Sequence, residues 1–168
     1  MNKILLRGRL IDAVSDQPVE DGAVLIEGNR IVYAGAYENC PEKELEALSF
    51  PGGTILPGFI DVHAHMTGEE AAGSFANGQM VGDQIIGAVY QLGLLLDAGF
   101  TGLRDMSEAG FYLSRGVERG AIRGPRIVPG GKVLSITSGH VDMFPNMTKE
   151  YYNAHDHLAM LCDGPDDC

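Results

Sequence analysis

A chain of 168 residues is long enough for one domain of ordinary size and too short for two large ones, and its 45% apolar content supports a packed core. Acidic residues outnumber basic ones by 23 to 12, a formal charge of −11 that argues against nucleic acid and anionic membrane surfaces as partners. The three cysteines, Cys40, Cys162 and Cys168, are odd in number and widely spaced. That excludes a disulfide framework or zinc knuckle and makes a reducing cytoplasm the expected setting.

No apolar run reaches membrane-spanning length, and the opening Met1-Asn2-Lys3-Ile4-Leu5-Leu6-Arg7 meets charge too soon for a signal peptide. Three short strands are predicted over 3–11, 22–27 and 30–36, the last two joined by Gly28-Asn29, residue types that tolerate positive φ. Two further extended pieces, 45–50 and 54–56, flank the Gly52-Gly53 turn. Short strands with Gly and Asp turns point to a small β-sandwich or open barrel over residues 1–56.

The rhythm changes at Pro57-Gly58-Phe59-Ile60-Asp61-Val62-His63-Ala64-His65. In a strand, side chains repeat with period two, so Asp61, His63 and His65 fall on one face and Ile60, Val62 and Ala64 on the other. Two imidazoles about 6.6 Å apart along a strand can converge on one ion at roughly 2.0–2.1 Å from each nitrogen. Asp61, one step deeper, could hold a histidine ring from behind or only stabilise the strand. The apolar opposite face suits a strand covered by helices on both sides.

Residues 66–79 read as a loop beside this strand, and the pattern then predicts a helix over 80–98. Val81, Ile85, Ala88, Val89, Leu92 and Leu95 form its core-facing stripe, and Gly99 sits where a glycine cap belongs. A second strand over 100–105, a second helix over 111–119 closed by Gly120, and a third strand opening at 126–129 follow. Alternating strand and helix with short links argues for parallel strands in the (β/α) barrel pattern. The acid- and proline-rich Asp163-Gly164-Pro165-Asp166-Asp167 reads as a helix start, with only Cys168 behind it.

The segment Thr54-Ile55-Leu56-Pro57-Gly58-Phe59-Ile60-Asp61-Val62-His63-Ala64-His65 resembles the first-barrel-strand signature of the amidohydrolase superfamily: an apolar pair, Pro-Gly, two apolar residues, Asp, then His-x-His. Leu96-Asp97-Ala98-Gly99-Phe100-Thr101-Gly102-Leu103-Arg104-Asp105 resembles its second-strand segment, apart from Gly102, where Thr or Ser is common. Gly124–Gly131 and Ile136-Thr137-Ser138-Gly139-His140-Val141-Asp142 are similar to the branch of prolidase-like Xaa-Pro dipeptidases and imidazolonepropionase relatives. The resemblance implies an α/β fold: a small β-sandwich domain, then the first three strands of a (β/α)8 TIM-type barrel over 57–168. It implies a divalent metal, zinc by preference, held by His63 and His65, a small-molecule substrate touched by His140, and hydrolysis of an amide-type C–N bond. The family's bridging lysine, later histidines and general-base aspartate find no match, and a complete barrel needs ~250 residues. The expectation is therefore a truncated, inactive portion of the enzyme, with the general base beyond Cys168.

Asp105 ends the second strand; it is a candidate to support the metal site, though a structural pair with Arg104 is the simpler reading. The second His-x-His, His155 and His157, has no family motif behind it and is assigned to surface or loop. Gly130-Gly131-Lys132 lacks phosphate-loop spacing. Two rivals stay open: a non-catalytic metal-binding or interaction subunit, and a one-metal deaminase of the same superfamily. A homo-oligomer is also left open.

Overall fold

The structure is a computed structural model that describes residues 2–67, 81–144, 146–155 and 159–168. The backbone divides between Pro57 and Gly58 into two compact units.

The first unit is a four-stranded sheet in the order β3-β2-β1-β4, built from β1 (Lys3–Leu10), β2 (Val19–Glu27), β3 (Arg30–Ala36) and β4 (Ala47–Ile55). β2 runs antiparallel to both neighbours, and β4 lies parallel to β1. Leu5, Ala23, Leu25 and Cys40 are buried together, with Tyr33, Tyr37, Leu45 and Ala47 packed against them. Gly28 takes φ +62 at the β2–β3 hairpin, where a side chain would be strained. The two extended pieces expected around Gly52-Gly53 are one strand, interrupted. Arg7 pairs with Ser49 and Arg9 with Thr54, so residues 50–53 bulge out opposite Gly8. β2 also begins three residues earlier than the hydrophobic run at Gly22 implied.

The second unit holds β5 (Phe59–Ala64), α1 (Val81–Asp97), β6 (Phe100–Asp105), α2 (Ala109–Glu118) and β7 (Arg126–Pro129). β5, β6 and β7 form a parallel three-stranded sheet in chain order. Ala88, Leu92, Leu103, Leu113 and Ile127 bury a common core between helices and sheet, joined by Met66 and Ala109. Of the stripe read for α1, Ala88 and Leu92 are buried and Ile85, Val89 and Leu95 pack against the cluster, while Ile86 and Tyr90 are exposed. Gly99 ends the helix at φ +95, its N–H bonded to Leu96 O. Met80, the expected first residue of that helix, lies outside the described residues, as does nearly all of the 66–79 loop.

Two strand ends are tied to the next segment in the same way. Ala64 O accepts the Met106 N–H at 2.8 Å, and Asp105 O accepts the Gly130 N–H at 2.7 Å.

One expectation fails here. β5 is not covered by helices on both faces: Ile60 is 70% and Val62 63% exposed, because α1 and α2 both pack on the side that carries Leu103 and Ile127. The C-terminal acidic run starts no helix. Residues 164–167 form a turn, and the Asp163 carboxylate instead accepts the amide and hydroxyl of Thr137.

Three elements had no clear sequence signal. β8 (Val133–Ser135), α3 (Lys149–His155) and β9 (Ala159–Leu161) make a small parallel strand–helix–strand unit. Buried Val141, Tyr152, Ala159 and Leu161 hold it together. Asn153 bonds both the N–H and the carbonyl of Leu161. Among the described residues, no helix is long and apolar enough to cross a membrane.

Candidate metal centre

β5 brings His63 and His65 together at its carboxyl end. Their Nε2 atoms stand 3.1 Å apart, with ring centroids at 5.1 Å and planes inclined by 61°. One ring donates Nε2–H and the other accepts, or both lone pairs turn to a shared ion. Two nitrogens each ~2.0–2.1 Å from one zinc ion at a tetrahedral angle lie about 3.3–3.4 Å apart, so the observed 3.1 Å fits such an ion. Among the described residues, no third His, Cys, Asp or Glu joins the pair.

The strict alternation read for this strand is broken. Asp61 pairs with Leu103 but Ala64 pairs with Asp105, so one extra residue of β5 is accommodated between them. That slip carries Ala64 against the helix-side core and leaves the two histidines facing each other. Asp61 does not reach a ring. Its carboxylate accepts the backbone N–H of His63 at 3.0 Å, which fixes the turn of chain into the site.

Asp105 corrects the sequence reading in the other direction. It is wholly buried, Arg104 beside it is exposed, and its two oxygens accept the Met66 N–H at 2.9 Å and the Ser107 hydroxyl at 2.8 Å. Burial pushes its carboxyl above the usual carboxylate range, opposed by those two hydrogen bonds and by the nearby His65. A carboxylate anchored to the residue after His65 sets the path of the histidine backbone. Gly110 makes room for it, since a Cβ there would stand 2.8 Å from Asp105 Oδ2.

A cavity of about 350 Å3 opens beside the histidines. His63, His65 and His140 line it together with Lys132 and the apolar Met106, Val133, Leu134 and Val141. The structure therefore brings the first histidine pair and His140 to one cavity. It adds Met106, which sequence reasoning did not single out, and Lys132, which it had weighed only as part of a phosphate loop. Met106 could have been found from its position just past the second strand, on the face where such sites gather. The Tyr152 hydroxyl donates to Val141 O, pinning the residue after His140 from inside the α3–β9 core. His155 is the last residue of α3, while His157 lies outside the described residues.

No family model matches the chain. Over 146 residues it is 27% identical to ochratoxinase from Aspergillus niger, covering 84% of this chain and 30% of that protein. Imidazolonepropionase from Streptomyces griseus is 38% identical over 48 residues, 29% of this chain and 12% of the relative. The solved structure of a prolidase complexed with N-methylphosphonate-L-proline superimposes with a TM-score of 0.80 at 30% identity, over 99% of this chain and 42% of the prolidase. The chain thus spans less than half the length of each of these relatives. Coming on top of the His-x-His strand and its cavity, these likenesses place the chain in the amidohydrolase superfamily, hydrolases of carbon–nitrogen bonds, of whose members it covers a part.

Proposed function

We propose that this chain is the N-terminal portion of a metal-dependent amidohydrolase that cleaves an amide-type C–N bond in a small molecule, a dipeptide or cyclic amide. The observation that carries it is the 3.1 Å convergence of His63 and His65 at the mouth of a cavity, on the carboxyl end of a parallel strand. In this reading β5, β6 and β7 are the first three strands of a (β/α)8 barrel, and the first unit is part of a β-sandwich domain. His63 and His65 hold a divalent ion, zinc by preference. Bound by these two histidines, such an ion would supply Lewis acidity, activating a water for attack and polarising the scissile carbonyl.

The chain's own residues do the positioning. Asp61 and Asp105 hold the backbone on either side of the histidines. Met106, Val133, Leu134 and Val141 give the substrate an apolar wall that excludes water, and His140 meets its polar end. The remaining ligands and the general base are assigned to the part of the relatives that this chain does not span, so residues 1–168 alone are read as inactive. The three separated cysteines support a reducing, cytoplasmic setting.

Metal analysis tests the assignment. A chain extended to full relative length, dialysed and supplied with one equivalent of zinc, should retain it, and its His63→Ala/His65→Ala double variant should lose most of it. Equal zinc in both would sink the reading. Zinc retention without hydrolysis of N-acyl amino acids or dipeptides by a chain extended to full relative length would favour a non-catalytic metal-binding subunit.

A further inference from the structure

The last seven residues bring two thiols together. Cys162 follows β9 and is buried at 6% exposure, whereas Cys168 is exposed, and both are free thiols. Between them the chain turns back on itself, with Asp167 N–H bonded to Gly164 O at 3.1 Å and Cys168 N–H to Pro165 O at 3.2 Å. The turn sets Cys162 Sγ 3.8 Å from the carbonyl oxygen of Asp167, the residue next to Cys168. Burial raises the Cys162 thiol, and a hydrogen bond with the Cys168 side chain raises it further.

This turn is tied to the cavity. Cys162 N–H donates to Ser135 O at 2.7 Å, and Asp163 accepts the Thr137 N–H at 2.8 Å and its hydroxyl at 2.9 Å. Lys149 joins both Asp163 and Asp167. The segment thus held leads from Thr137 to His140 and Val141 on the cavity wall.

We propose that Cys162 and Cys168 are a redox pair that closes to an intrachain disulfide under peroxide, locking the turn that holds the Thr137–His140 segment. The exposed Cys168 thiolate attacks the peroxide O–O bond, becoming a sulfenic acid and releasing hydroxide, which is protonated to water. The Cys162 sulfur then attacks the sulfenic sulfur, forming the S–S bond. Its thiol proton goes to the departing hydroxyl, which leaves as the second water. The two thiols lose two electrons and the peroxide gains them. An exposed thiol suits the first step, and the turn that seats Cys162 Sγ 3.8 Å from Asp167 O keeps the second sulfur within reach of Cys168. The pair does not depend on metal at His63 and His65.

Stoichiometric hydrogen peroxide on the native protein, followed by thiol counting in denaturant and peptide mass mapping, tests it. Thiols should fall from three to one, with a 162–168 crosslink that a dithiol reductant reverses. Cys168→Ser, an exposed substitution that spares the fold, should leave two thiols titratable after peroxide. Cys40→Ser should still lose two. Hydrogen exchange at the Thr137 amide should be slower in the oxidised form. Cys168 carried to sulfinic acid with Cys162 still alkylatable would overturn the proposal. So would a Cys168–Cys168 link between chains, or unchanged exchange at Thr137.

Discussion

Asp105 shows how much one side chain decides near the histidines. Its two oxygens take the Met66 amide and the Ser107 hydroxyl inside a fully buried site. Asp105→Ala strands that buried amide, so the variant should lose about 1–3 kcal/mol in a denaturant titration. Asp105→Asn keeps both contacts, accepting from Met66 and donating to the Ser107 oxygen, and should stay within about 1 kcal/mol of the parent. Equal losses in the two variants would mean the hydrogen bonds do not matter there. The histidine pair was singled out because residues 54–65 resemble the superfamily's first-strand signature, not from His-x-His alone. The partners of Asp61 and Asp105 were not legible, since alternation predicts a face but not a slip in register, and Arg104 was simply the nearest opposite charge in sequence.

At the scale of elements, long periodic segments were readable and short ones were not. α1 shows four turns of apolar stripe, and its packing follows that stripe. Leu92→Ala should therefore destabilise by about 2–5 kcal/mol, while Leu94→Ala, on the half-exposed side, should stay within about 0.5 kcal/mol. Similar thermal shifts for both would contradict the packing. β8 and β9 have three residues each, too few to display a period of two, and they owe their form to Asn153 and to parallel pairing. The acids near the C-terminus had a visible charge pattern but a hidden partner. The Thr137 amide and hydroxyl hold Asp163 below the usual carboxylate range, and Lys149 does the same for Asp167. A depressed folded pKa contributes stability above the unfolded value of about 3.9 and loses it as pH falls through the folded one. The thermal midpoint should thus hold level from about pH 7 to 5 and fall below about pH 4. Lys149→Met should shrink that acid-side fall, and an unchanged profile would remove this network from the account.

The whole molecule sets a strong net charge against an open apolar surface. Ile60, Val62 and Val128 are all more than half exposed on β5 and β7, the two outer strands of a three-stranded sheet. Unpaired edges with apolar side chains favour association, and a formal charge of −11 opposes it. Salt screens the second effect and not the first. Light scattering should therefore show particle size rising between low and high ionic strength, and Ile60→Lys with Val62→Glu should suppress the rise. A monodisperse monomer at high salt would show that this surface is innocuous.

The two amide bonds that close the strand ends, Met106 to Ala64 and Gly130 to Asp105, have a consequence for engineering. Each fastens the chain just past one strand to the terminus of the strand before it, so the segments after Met106 and Gly130 depart from points fixed by main-chain hydrogen bonds. At Gly130 the anchor favours glycine, since a Cβ would stand 3.0 Å from Asp105 O, but it asks nothing of the side chains beyond. Lengthening or exchanging the segment after either anchor therefore leaves the rim itself in place. Libraries that randomise the stretch beyond Gly130 should fold at rates set by that stretch's own composition, with the histidine spacing unchanged.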